Sequence, residues 1–143
     1  MNKFIGLLFV VIFFSCQVKP IPLLFGQDSC YTCKMTLMDM KFGAEIVTKK
    51  GKTYKFDDLN CMINFYNGSQ EKEDNMEFIM VVNFEGSNEF INAREAFYVK
   101  TDKKRTPMAS QVAAFSTKEQ LDRHNKEWRG IVLSWGELVT QYK

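Results

Sequence analysis

The strongest constraint on how this chain can fold is an order of local patterns that occurs twice. In its first occurrence, Ala44-Glu45-Ile46-Val47-Thr48 and Thr53-Tyr54-Lys55-Phe56 are short strand-like runs. Lys49-Lys50-Gly51-Lys52 separates them as a hairpin turn would. Asp57 or Asp58 can then cap a helix, because a carboxylate accepts the free N–H groups of a first turn. Leu59, Met62, Ile63 and Tyr66 recur at helical spacing, and Asn67-Gly68 stops that helix. Phe78-Ile79-Met80-Val81-Val82 is a continuous apolar run suited to a buried strand.

The second occurrence repeats the order. Ala96-Phe97-Tyr98-Val99 and Val112-Ala113-Ala114-Phe115 are strand-like, with a polar connection beginning at Thr101 to Arg105. Ser116-Thr117-Lys118-Glu119 has the spacing of a capping box and predicts Ser116 as the cap. Leu121 and Trp128 mark the buried stripe of the next helix, Gly130 ends it, and Ile131-Val132-Leu133 supplies the last strand. Phe56-Asp57-Asp58 and Phe115-Ser116-Thr117 occupy matching junctions. The pattern predicts an α+β fold of two ββαβ units related by internal duplication, each placing a helix on a sheet. Neither unit is large enough to bury a generous core alone, so the two should share an interface.

The flanks read differently. Lys3 followed by the apolar stretch Phe4 to Phe14 and then Ser15-Cys16 has the plan of a secretory signal, too short to span a bilayer well. A small residue directly before a cysteine predicts a lipoprotein signal peptide over residues 1–15, with Cys16 acylated as the first residue of the mature chain. Residues 16–27, with Pro20 and Pro22, are expected to form a tether. The folded domain is expected over residues 28–138, in units of about 28–86 and 87–138, leaving 139–143 as a tail. Net charge is +2, and Lys103-Lys104-Arg105 is the one basic run, so nothing points to a nucleic-acid partner.

Chemistry concentrates in Cys30-Tyr31-Thr32-Cys33-Lys34-Met35, with Met38 and Met40 close behind. Zinc sites usually take four ligands from two cysteine pairs or a pair with histidines, and the sequence has a single histidine, His124, and no second pair. A thioredoxin-type motif belongs at a helix N-terminus after a strand, whereas this one precedes the first strand. Thiolate and thioether donors suit Cu(I). In an extended segment Cys33 and Met35 would point to one side and could meet one ion. Met108, on the polar loop Thr106-Pro107-Met108-Ala109-Ser110, is a candidate further ligand. Cys61 points away from the apolar stripe of its helix and can face the other unit, solvent or a metal. Met62 and Met80 are assigned to packing, and His124 to the edge of its helix stripe. No glycine-rich phosphate loop or nucleophile elbow is present, and no histidine stands beside Asp57-Asp58, so nothing argues for an enzyme.

These residues together resemble the NosL family. The N-terminal half is carried by Cys33-x-Met35, Ala44-Glu45-Ile46-Val47, Gly51-Lys52-Thr53-Tyr54-Lys55-Phe56-Asp57-Asp58 and Cys61-Met62. The C-terminal half is carried by Phe90-Ile91-Asn92-Ala93, Ala96-Phe97-Tyr98-Val99, Thr106-Pro107-Met108, Ala114-Phe115 and Val132-Leu133-Ser134-Trp135-x-Glu137-Leu138. The resemblance implies two ββαβ units related to part of organomercurial lyase. It also implies a lipid-anchored Cu(I) chaperone on the periplasmic side of the cell envelope. The implied client is nitrous oxide reductase or its membrane assembly machinery. The implied copper ligands are Cys33, Met35 and Met108. Cys30 is additional to the family's Cys-x-Met, and Ala109 stands where many members have glycine. The alternatives are an exported Cys-x-x-Cys redox protein, or reductant for a copper site, and an organomercurial-lyase-like enzyme.

Overall fold

A computed structural model of the chain describes residues 17–141. The predicted signal and the acylation site Cys16 lie outside the described residues. Among the described residues no helix is long and apolar enough to cross a membrane.

The first unit comprises β1 (Ala44–Thr48), β2 (Thr53–Phe56), α1 (Leu59–Gly68) and β3 (Met76–Val82), with a 3-10 turn at Glu73–Asn75 before β3. A short strand β4 (Phe90–Asn92) follows and pairs with β3. The second unit comprises β5 (Phe97–Lys100), β6 (Val112–Phe115), α2 (Lys118–Trp128) and β7 (Ile131–Leu133), then α3 (Trp135–Gln141). The first sheet runs β2-β1-β3-β4 and the second β6-β5-β7, all antiparallel. In both units the first strand is central, the second pairs on one edge and the strand after the helix on the other. This shared order fits the expected duplication.

Local chemistry explains the elements. The β1–β2 turn closes through Gly51, whose φ of +81° a side chain would resist and whose N–H donates to the Thr48 carbonyl at 2.8 Å. α1 packs on β1 and β2, burying Leu59, Met62 and Ile63, while Tyr66 is half-buried with its ring against Trp135. The α2 cap differs from expectation by one residue. Thr117 is the cap, accepting the Gln120 N–H, and the Gln120 side chain accepts from the Ser116 N–H and hydroxyl. The cap is therefore built on Thr117, with Gln120 reaching back one residue further to Ser116. The left-handed residue ending α2 is Arg129, not Gly130. Gly130 is required by space instead, since a Cβ there would stand 2.5 Å from the Lys100 carbonyl oxygen.

The second sheet is the middle layer. On one face, Val99, Ala113 and Phe115 pack with Leu121 and Trp128 of α2. On the other, Tyr98, Val112, Ala114 and Leu133 join the core of the first unit. Strand alternation thus divides β5 and β6 between two cores, and the expected interface between units is the back of this sheet. α3 closes the large core with Leu138 and Trp135.

Of the segment expected as a tether, the part from Ile21 onward lies on the domain. Leu23 is buried in the large core, and the Ile21 N–H donates to Glu45 Oε1 at 2.8 Å. Glu45 is wholly buried in β1, its Oε2 unpartnered, and burial pushes its carboxyl above the ordinary 4.5. A carboxyl raised in the folded state makes stability fall as pH rises from about the unfolded value through the raised one. The melting-temperature advantage of Glu45→Gln over the parent should therefore widen as pH rises from about 4.5. A difference that does not change with pH would show that the Glu45 carboxyl titrates alike in the folded and unfolded chain.

Candidate metal centre

The Cys-x-x-Cys-x-Met segment is not extended. Ser29 pairs with Thr36 across a turn, the Cys30 N–H donates to the Met35 carbonyl at 2.8 Å, and the Lys34 N–H donates to the Cys30 carbonyl at 3.0 Å. Lys34 takes a left-handed φ of +67°, which closes the loop. The expectation that Cys33 and Met35 share a side through strand parity therefore does not apply. The loop is fastened from both sides: Tyr31 N–H donates to the Lys55 carbonyl of β2 at 2.7 Å, and the Thr32 hydroxyl to the Cys61 carbonyl of α1 at 3.0 Å.

That placement brings Cys30, Cys33, Asp57 and Cys61 together, with their ligand atoms all within 4.8 Å of one another. Cys30, Asp57 and Cys61 are buried, whereas Cys33 is half-buried. All three cysteines are free. The Cys33 thiol donates to Asp57 Oδ2 at 3.4 Å, while Asp57 Oδ1 is buried without a hydrogen-bond partner. A buried orphan carboxylate oxygen beside three thiols is a costly arrangement unless a cation is to be held there.

Electrostatics divide the thiols. The Cys61 thiol donates to Cys30 and, with the Cys33 and Asp57 N–H groups, outweighs burial and brings the Cys30 thiol down to about 6. Cys61, holding that shared proton in a buried site, is pushed up. Burial raises Cys33, against the Met35 N–H that stabilises its thiolate. Cys61 also sits in the first turn of α1, where helix N–H groups favour negative charge.

Asp58, at the cap position of α1, makes no cap hydrogen bond. It is wholly buried and turned toward the second unit. Its Oδ2 accepts from the Thr106 hydroxyl at 2.7 Å, the Met108 N–H at 2.8 Å and the Ser110 N–H at 3.1 Å. Asn60 Nδ2 donates to the Met108 carbonyl at 3.0 Å. Two residues that alternate with Asp57 and Cys61 thus hold both faces of the Met108 backbone. Met108 is half-buried against the large core. Met35 is 48% exposed, and Met38 and Met40 are exposed too. His124 lies in the second core, stacked on Phe115 and bonded to Glu85 at 2.9 Å.

Sequence reasoning did not single out Asp57 as a donor or Asp58 as a clamp. Both carboxylates have local capping spacing, and their actual partners are remote in the chain.

The fold and this cluster define a small α+β protein in which three thiols and a carboxylate meet as a candidate metal-binding group. The sequence model of NosL matches residues 22–142, and the chain belongs to the NosL family. Its fold is similar to the crystal structure of the copper chaperone NosL from Shewanella denitrificans, with a TM-score of 0.69 and 20% identity, covering 85% of this chain and 96% of that one. No curated protein sequence matches the chain significantly.

Proposed function

We propose that the chain is an exported, lipid-anchored carrier of Cu(I) that delivers copper during assembly of the copper centres of nitrous oxide reductase. Copper is cargo here, and the protein is a carrier rather than an enzyme. The observation that carries the reading is the half-buried Cys33, whose sulfur lies within 4.8 Å of those of the buried Cys30 and Cys61. Such a site holds a soft ion yet leaves one side open for exchange. In this reading Met35, and Met108 on the loop whose backbone Asp58 and Asn60 hold, complete the exchange face with Cys33. Family membership and the copper chaperone of similar fold support the same cargo.

Competition with a Cu(I) chelator, using reduced protein under anaerobic conditions, tests the reading. Tight one-to-one binding is expected, weakening as pH falls, because thiolates must lose protons to bind and protons compete for them. Binding no tighter than that of free cysteine would end it. Copper-loaded protein should also restore activity to copper-free nitrous oxide reductase more effectively than free copper. For the anchor, the mass of the mature chain should show an acylated Cys16, since stable attachment takes more than one acyl chain. An unmodified mature N-terminus lacking Cys16 would refute it.

One observation favours an exported thiol redox protein instead. Cys30 is brought down to about 6 beside two other thiols, as in reactive thiol pairs. A measured thiol–disulfide potential, with no Cu(I) affinity, would decide for that reading.

A further inference from the structure

We infer that the chain holds Cu(I) in two successive positions that share Cys33: an outer exchange position with Met35 and Met108, and a closed inner position made by the sulfurs of Cys30, Cys33 and Cys61 against the wall of Asp57. The inference rests on the copper reading above and adds to it.

Burial makes the division. Cys30 and Cys61 are 1% and 2% exposed, so no acceptor protein can touch them, whereas Met35 is 48% exposed. An exchange face cannot include sulfurs that a partner cannot reach. A storage position can, and it gains from their burial because water and competing ligands are kept out. The spacing fits one ion. Three thiolate sulfurs at about 2.3 Å from a closed-shell ion stand roughly 4 Å apart, and the donor atoms here already lie within 4.8 Å of one another. Side-chain rotation alone covers the remainder.

The surroundings are built for negative sulfur. N–H groups of Cys33 and Asp57 point to the Cys30 sulfur, and that of Met35 to the Cys33 sulfur. Cys61 lies in the first turn of α1. The unpartnered Oδ1 of Asp57 is a second, independent mark of a place for a cation. Packing alone does not account for three free thiols and an orphan carboxylate oxygen meeting at one buried point.

Copper remains Cu(I) throughout. Moving inward, it exchanges bonds to the Met35 and Met108 thioethers for bonds to the Cys30 and Cys61 sulfurs, and the proton these two share leaves to water. Moving outward reverses each step. Cys33 stays bound in both positions.

X-ray absorption at the copper edge, on reduced parent loaded with one equivalent of Cu(I), should show three short copper–sulfur bonds. One or two short bonds with a longer thioether bond would place resting copper in the outer position and overturn the inference without any variant. The Cys30→Ser/Cys61→Ser pair should still bind Cu(I) through Cys33, but with affinity lowered by more than the roughly 10–100-fold typical of losing a group that only orients a ligand, and with correspondingly faster release to a chelator. Cys30→Ala/Cys61→Ala is made alongside, to separate ligand loss from the cost of burying a hydroxyl. Met35→Ala/Met108→Ala should slow copper exchange while keeping three short bonds. If the cysteine pairs bind and release copper like the parent while Cys33→Ser does not bind, the inner position is wrong and the carrier reading stands. If the parent itself binds no Cu(I), the carrier reading falls first.

Discussion

Cys33→Ser should abolish tight Cu(I) binding more completely than any other single change in the chain. Cys33 alone is both half-exposed and in reach of the buried thiols, so it is common to every way of holding copper at this site. Serine keeps the shape and much of the hydrogen bonding to Asp57 but replaces a soft anionic donor with a hard neutral one. Loss of a partner that only orients a ligand typically costs about 10–100-fold in metal affinity. Loss of the shared ligand should exceed that. Met35→Ala removes a neutral thioether on the solvent side and should cost less, with its effect concentrated in exchange rate. Chelator competition on the three proteins reads the order directly. Parent-like affinity in Cys33→Ser would move the site away from the exposed face altogether. Since Cys33 is only half-buried at the edge of the large core and serine keeps its shape, the variant should unfold near the parent's urea midpoint, which separates ligand loss from misfolding.

The two ββαβ units were legible because their signals are local: alternation in the strands, helical spacing of Leu59, Met62 and Ile63, and Gly51 in a turn that needs a positive φ. The sulfur set was legible in part, for the same reason. Cys30, Cys33 and Met35 are close in sequence, but how they face one another depends on Lys34 adopting a left-handed conformation, which a lysine gives no reason to expect. Cys61 was left open because a helical stripe has only one apolar side, and the loop that covers its other side comes from about thirty residues earlier, through Thr32. α3 did carry a local signal that went unread. Ser134-x-x-Glu137 is a reciprocal cap, Glu137 Oε2 accepting the Ser134 N–H at 2.8 Å and Ser134 Oγ accepting the Glu137 N–H at 3.3 Å. Following it, Leu138 is wholly buried, so this end of the chain completes the core.

Asp58 shows most plainly how a local reading can be displaced. As a cap, its loss would cost about 1 kcal/mol. In the fold it is the acceptor for three donors of the Thr106–Ser110 loop, as far as 52 residues away in sequence. Asp58→Ala should therefore cost roughly 3 kcal/mol or more, since each buried donor left unmade costs about 1–3 kcal/mol and water can reach only some of them. Urea unfolding followed by circular dichroism measures this. Asn60→Ala removes the bond to the Met108 carbonyl and an exposed one from the Asn64 side chain, and should cost about 1 kcal/mol. The two residues also hold the loop that carries Met108, so both variants should slow copper release, and that effect should vanish when Met108 is already alanine. Copper release unchanged in Asn60→Ala, but slower in Met108→Ala, would mean that the loop keeps its place through core packing and that the clamp serves stability alone. An Asp58→Ala cost of only about 1 kcal/mol would return Asp58 to the role of an ordinary cap.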